Sequence, residues 1–205
     1  MIRLYCASSN PGKLAEFRLA AERIADVPPV EIELVPGFAA ISTCVEDGAT
    51  FEENAVIKAR HYGRHTDGLL FADDSGLLVD ALDGAPGVHS ARYSGPGATN
   101  QSNNRLLLEK LRGVKDRKAA FVCAIALVKG GELTGVFTGR VQGVILEAAR
   151  GTGGFGYDPL FFYPPFGCTF GEASETAKFA VSHRGQALRK MLRHLTGFVH
   201  ASDAD

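Results

Sequence analysis

The chain has 205 residues, of which 45% are apolar and 22% charged, with a formal net charge of -1. It is long enough to bury a sizeable core within a single domain, expected here over residues 1–197 with a short frayed tail at 198–205. The charge balance gives no electrostatic reason to expect a nucleic-acid polymer or an anionic membrane as partner, and no apolar stretch approaches the ~20 residues that cross a bilayer.

In chain order, residues 3–7 read as a strand that stops at Ser8-Ser9-Asn10-Pro11-Gly12. From Lys13 the apolar residues Leu14, Phe17, Leu19 and Ile24 recur at helical spacing; Ser9 or Asn10 suits the N-cap and Pro11 the first helical position. Residues 31–35 alternate like a strand, and a second helix is predicted over 50–65, opened by the Thr50-x-x-Glu53 capping box. A central strand spans 69–82, interrupted by Asp73-Asp74-Ser75-Gly76. Residues 83–100, rich in Gly, Pro and Ser, read as a long loop of functional length, and 103–111 as a helix. Two long strands, 119–128 and 133–145, are joined at Gly130-Gly131, a hairpin signal. Residues 151–171 form a Gly/Pro/aromatic loop, and 182–195 a closing helix. The fold class is α/β, one compact chain with a central cleft. Its cysteines, Cys6, Cys44, Cys123 and Cys168, show no C-x-x-C pair. The opening residues are too soon interrupted to be a signal peptide, so the thiols read as reduced and the location as cytoplasmic.

Four groups could carry chemistry. Asp73 and Asp74 close the apolar run Leu69-Leu70-Phe71-Ala72. Charges at the tip of a buried strand need a hard cation, basic side chains or water to offset desolvation. With Glu46, and with Glu52 and Glu53 nearby, they make an oxygen-only set that suits Mg2+ or Mn2+ better than zinc, and one carboxylate could activate water. Asp-Asp-Ser-Gly is equally a competent turn. The Ser8-to-Lys13 turn would present backbone N–H groups and a mobile cation to a phosphate, although it lacks the leading Gly and the Ser/Thr of a Walker A loop; it is also a plain strand-to-helix turn. Gly151-Thr152-Gly153-Gly154-Phe155-Gly156-Tyr157-Asp158 offers close backbone approach and an aromatic face for a flat base. Lys178 and the pair His183-Arg184 at a helix start could donate to oxygens of a base or phosphate. His61 and His65 have the i, i+4 spacing of zinc helices, but no third ligand accompanies them, and they read as a solvated face.

Six motifs occur in order: S-S-N-P-G-K, F-E-E-N-A-x-x-K-A, A-D-D-S-G-L-x-V-D-A-L, G-A-P-G-V-H-S-A-R-Y-S-G, G-T-G-G-F-G-Y-D-P-L-F and S-H-R-G-Q-A-L. Together, from Ser8 to Arg189, they resemble the inosine triphosphate pyrophosphatase family, the Ham1-like enzymes. The resemblance implies a homodimer with an elongated mixed central sheet flanked by helices, two lobes around a central cleft, and Mg2+-dependent cleavage of ITP, dITP or XTP to the monophosphate and pyrophosphate. By matching position, Ser8, Ser9, Asn10, Pro11, Gly12 and Lys13 would grip phosphates, with Lys58 reaching the triphosphate. Asp74 would be general base and metal ligand, with Glu46 and Asp73 as further acidic groups; Ser75 would touch substrate. Phe155, Gly156, Tyr157, Asp158, Lys178, His183 and Arg184 would form the base-side and phosphate-side pocket. Ser8-Ser9 stands where the family commonly has Thr-Gly, and nothing is transferred to residues 163–177. Mn2+ would be a substitute metal. The competing expectations are a broader nucleoside triphosphate pyrophosphatase and a nucleotide-binding regulatory module whose acidic pair only holds a cation.

Overall fold

The computed structural model describes residues 2–8, 10–24 and 27–202, with side chains described up to residue 196. Ser9 lies outside the described residues. Seven strands form one open mixed sheet in the order β2-β1-β3-β4-β5-β6-β7. The strands are β1 (Ile2–Cys6), β2 (Val30–Leu34), β3 (Leu69–Val79), β4 (Lys118–Lys129), β5 (Glu132–Ile145), β6 (Phe161–Tyr163) and β7 (Cys168–Thr169). The helices are α1 (Pro11–Ala21), α2 (Phe51–Gly63), α3 (Asn100–Lys110), α4 (Glu175–Val181) and α5 (His183–Ser202).

The parallel part follows from its connections: β1 pairs in parallel with both β2 and β3, and a parallel return needs a crossover, which α1 and α2 supply. α1 starts where the sequence predicts, because Asn10 Oδ1 accepts from the N–H groups of Gly12 (2.9 Å) and Lys13 (3.2 Å) while Pro11 occupies the first turn. α2 starts on the predicted capping box, with Thr50 and Glu53 bonded reciprocally. β4 and β5 meet at Gly130 (φ 56°) and Gly131 (φ 85°), the left-handed pair a tight hairpin requires.

Three expectations are corrected. β3 is not interrupted at Asp-Asp-Ser-Gly; it runs unbroken from Leu69 to Val79, so the aspartates lie inside the strand rather than at its tip. Cations brought in from distant segments make those charges tolerable there, and the turn is not formed. The 151–171 segment holds two short strands, β6 and β7, antiparallel to each other, and the 83–100 segment contains a 3-10 turn at Gly87–Arg92. The closing helix continues to Ser202 instead of ending at Leu195, since no proline follows to stop it.

The chain divides into two compact units: residues 1–74, 123–139 and 184–205, and residues 75–122 and 140–183. In the first, Phe17 of α1 meets Phe71 of β3 edge-on at 5.1 Å, and Leu4, Cys6, Leu70 and Met191 are also buried. In the second, Phe121, Phe161 and Phe170 form the aromatic centre of a cluster with Leu77, Leu107, Ile145 and Tyr157. No helix among the described residues is long and apolar enough to cross a membrane.

Candidate active site

The sequence-predicted residues fall into two groups, one in each unit. In the first unit the organising element is α2. Asn54 and Lys58 are one helical turn apart and therefore share a face, and both reach β3. Asn54 Nδ2 donates to Asp74 Oδ2 at 3.1 Å, while its Oδ1 takes the Gly48 N–H at 2.8 Å. Lys58 Nζ donates to the Asp73 carbonyl at 3.0 Å and pairs with Glu46 at 2.9 Å. Lys13, at the start of α1, pairs with Asp73 Oδ2 at 2.8 Å. Arg184 Nη1, at the start of α5, donates to Glu16 Oε2 at 2.8 Å.

This network splits the two aspartates electrostatically. Burial opposes the Asp73 charge, but Lys13, Arg184, Lys58 and the Lys13 hydrogen bond outweigh it and hold the carboxyl below the usual range. Burial also acts on Asp74, and there Lys58, Lys13 and Asn54 do not cancel it, so its proton affinity is raised. Burial works against the Lys58 ammonium, yet Asp73, Glu46 and Asp74 keep its proton held more tightly than in water.

The α1 turn differs from its expected use. Its Gly12 and Lys13 N–H groups are taken by Asn10, and the Asn10 N–H by Ser8 Oγ at 3.3 Å. The cation it offers is the Lys13 side chain, at the positive end of the helix dipole.

In the second unit the loop before β6 is built around Asp158. Its Oδ2 accepts from the Phe155 N–H at 2.8 Å and from Lys178 Nζ at 2.7 Å. Gly154 (φ +69°) and Gly156 (φ +63°) take left-handed backbone, and a Cβ at Gly154 would collide with that same Asp158 oxygen. Lys178, on α4, lies 5.3 Å from the Phe155 ring centre and 5.9 Å from that of Phe170, so its charge faces two aromatic rings. The His183 ring stacks on Phe121 at 4.9 Å. Tyr157 is buried in the aromatic cluster with its hydroxyl on Ser90 O, and Ser75 is half-buried on β3.

Two residues that sequence reasoning passed over belong to the first group. Asn54 sits inside the quoted F-E-E-N-A motif, and a fully buried amide in a helix is itself a signal that something polar faces it. Glu16 lies one turn beyond Lys13 on α1, but its partner is 168 residues away and leaves no local trace. His61 Nε2 is 2.7 Å from Ser42 O, and His65 is exposed. No three His, Cys, Asp or Glu side chains among the described residues converge as a ready-made metal centre.

Lysines and carboxylates gather around a buried strand in one unit, and a glycine–aromatic loop rests on a lysine–aspartate pair in the other, within an α/β fold. The chain belongs to the Ham1 family, whose sequence profile it matches over residues 4–194. It is 50% identical over 197 residues to the dITP/XTP pyrophosphatase of Geobacter sulfurreducens, covering 95% of this chain and 97% of that protein. It is 44% identical to the dITP/XTP pyrophosphatase of Acidobacterium capsulatum, over 96% of this chain and 99% of that one. A solved Ham1 protein from Coxiella burnetii superposes with a TM-score of 0.84 at 38% identity, covering 96% of this chain and 100% of its own.

Proposed function

We propose that this chain is a nucleoside triphosphate pyrophosphatase that hydrolyses the non-standard purine nucleotides ITP, dITP and XTP to the monophosphate and pyrophosphate, clearing them from the nucleotide pool. The observation that carries the reading is Asp74: a buried carboxylate with raised proton affinity, held by Asn54 beside two lysines. The names of its 50% and 44% identical relatives, dITP/XTP pyrophosphatase, support dITP and XTP among these substrates.

In this reading Asp74 takes a proton from the attacking water, and its raised affinity makes it a stronger base than an ordinary carboxylate. Lys13 and Lys58 leave their carboxylate partners to meet the phosphates and stabilise the departing pyrophosphate. Phe155 provides the face for the base, and Lys178 and His183 of the same unit the donors for a 6-oxo edge, while Arg184 serves the phosphate side. The 6-amino edge of adenine would leave such donors unpaired and is rejected.

An oxygen-only donor set without His or Cys fits Mg2+, with Mn2+ as substitute. The fit is to an ion that completes its shell with substrate oxygens and water, because Asp73 and Glu46 each carry a lysine. Asp74 and Glu46 would hold it, with Asp73 in support, and when bound it neutralises phosphate charge. The free cysteines fit a reducing, cytoplasmic setting, and we take the working form to be a homodimer, which sedimentation would show.

A nucleotide panel read as pyrophosphate release tests the function. ITP, dITP and XTP should far exceed ATP, and EDTA should abolish the signal until Mg2+ is restored. Orthophosphate from ITP, or comparable turnover of ATP, refutes it.

A further inference from the structure

The loop at 154–158 is fastened by α3, whose Asn104 lines the same cavity as Phe155 and Gly156. Two consecutive asparagines of α3 hold different partners. Asn103, buried, donates from Nδ2 to Ser90 O (3.3 Å) and Ala91 O (3.1 Å) and accepts at Oδ1 from the Ser94 N–H and hydroxyl, both at 2.8 Å. Asn104 donates from Nδ2 to Gly156 O at 3.1 Å. The next residue, Tyr157, returns its hydroxyl to Ser90 O at 2.8 Å, so the circuit closes on Ser90. Ser90 Oγ in turn accepts from the Leu77 N–H of β3 at 2.9 Å and donates to Gly87 O at 2.6 Å.

Three observations set this circuit apart from ordinary packing. Asn104 Oδ1 is buried with no hydrogen-bond partner among the described residues, which costs stability, so an apolar side chain would serve folding better at that position. Gly156 is in left-handed backbone, where glycine has many alternatives, and the bond to its carbonyl selects one. The loop also borders an open cavity of about 1280 Å³, so packing alone does not immobilise it.

We propose that Asn104 and Tyr157 are positioning residues that fix the 154–158 loop and thereby set discrimination between bases, a role that rests on the proposed pyrophosphatase reading. Phe155 immediately precedes Gly156, and its N–H is held by Asp158. Freeing the Gly156 carbonyl turns one loop conformation into several. Base selectivity then falls, because rejection of the wrong base depends on donors that cannot shift to accommodate it.

The test compares Asn104→Leu, Asn104→Asp (shape kept, donor removed), Tyr157→Phe and the Asn104→Leu/Tyr157→Phe double variant. Readouts are Tm, kcat and KM for dITP and dGTP, and equilibrium binding of both nucleotides without divalent metal. Each single variant should lower the dITP-to-dGTP preference about tenfold, the scale of one hydrogen bond, chiefly through KM for dITP. Asn104→Leu should do so at unchanged or higher Tm, and the double variant should be no worse than the worse single one, as members of one circuit. An unchanged preference in the single variants, or multiplicative losses in the double, overturns the proposal. Selective binding by the wild type without pyrophosphate release would sink the pyrophosphatase reading instead, leaving the binding ratio to judge the circuit. A wild type with no preference in binding or turnover sinks the circuit.

Discussion

Two lysine–aspartate pairs of nearly equal length, Lys13–Asp73 at 2.8 Å and Lys178–Asp158 at 2.7 Å, differ in their surroundings: the first lysine is half-buried and the second buried. Asp73 sits within a strand among other charges, and Lys58 and Arg184 also act on it. Asp158 lies in a glycine-rich loop, and its lysine faces the rings of Phe155 and Phe170. A pair inside a charge network can be redistributed when an anion arrives, since other partners take up what is released. The Lys178–Asp158 pair lies against aromatic rings and also holds the Phe155 N–H, so it shapes its loop. Under the proposed function, the same two residue types would give an adjustable site for phosphates and a rigid frame for a base.

Breaking the rigid pair should have the largest effect. Asp158→Asn removes the carboxylate paired with the Lys178 ammonium, 5% exposed, and should destabilise the fold by about 3–5 kcal/mol in denaturant titration. Asp73→Asn should cost less stability, because its neighbouring carboxylates remain, and a greater loss there than at Asp158 would reverse the comparison. Asp74→Asn should lower kcat at least about 100-fold, or about 2.7 kcal/mol of barrier, with Tm little changed; a near-normal rate removes Asp74 as the base. Gly76→Ala drives a methyl into Ser90 Oγ and should destabilise by about 1–3 kcal/mol, read as a fall in Tm.

The pH response sharpens the contrast within the charged network. Without bound metal Asp74 has a raised folded pKa, so as pH falls it protonates early and loses its base and ligand form while the fold gains stability. Asp73 has a lowered folded pKa, so its stabilisation is present above the ordinary carboxylate value of about 3.9 and lost as pH falls through the folded value. The kcat–pH curve should therefore drop at a higher pH than the Tm–pH curve. Coincident curves would show that inactivation is simply acid unfolding.

What could be read from sequence is what local chemistry decides. The Asn10 cap with Pro11, the Thr50 capping box and the Gly130-Gly131 hairpin each rest on a few adjacent residues, and each formed where expected. β3 departs from expectation because its local tetrapeptide favours a turn, whereas the charge buried within the strand is met by Lys13 and Lys58, which only the fold brings near. α4, β6 and β7, with seven, three and two residues, are too short to show a period. The site followed the same rule. Its residue types were visible as motifs, but which lysine meets which carboxylate was not, nor was the part played by Asn54 and Glu16.

One motif answers to two constraints. In Asp73-Asp74-Ser75-Gly76 the first two residues supply charge, while the last supplies room: Gly76 is buried where Ser90 Oγ and Gly87 O crowd in. Every amino-acid change at position 76 introduces a Cβ, and the strain reaches Ser90, the acceptor on which the Tyr157 hydroxyl rests. A population of variants would therefore separate neighbouring codons by phenotype. Changes at 73 and 74 would slow turnover, whereas changes at 76 would blur the choice of nucleotide.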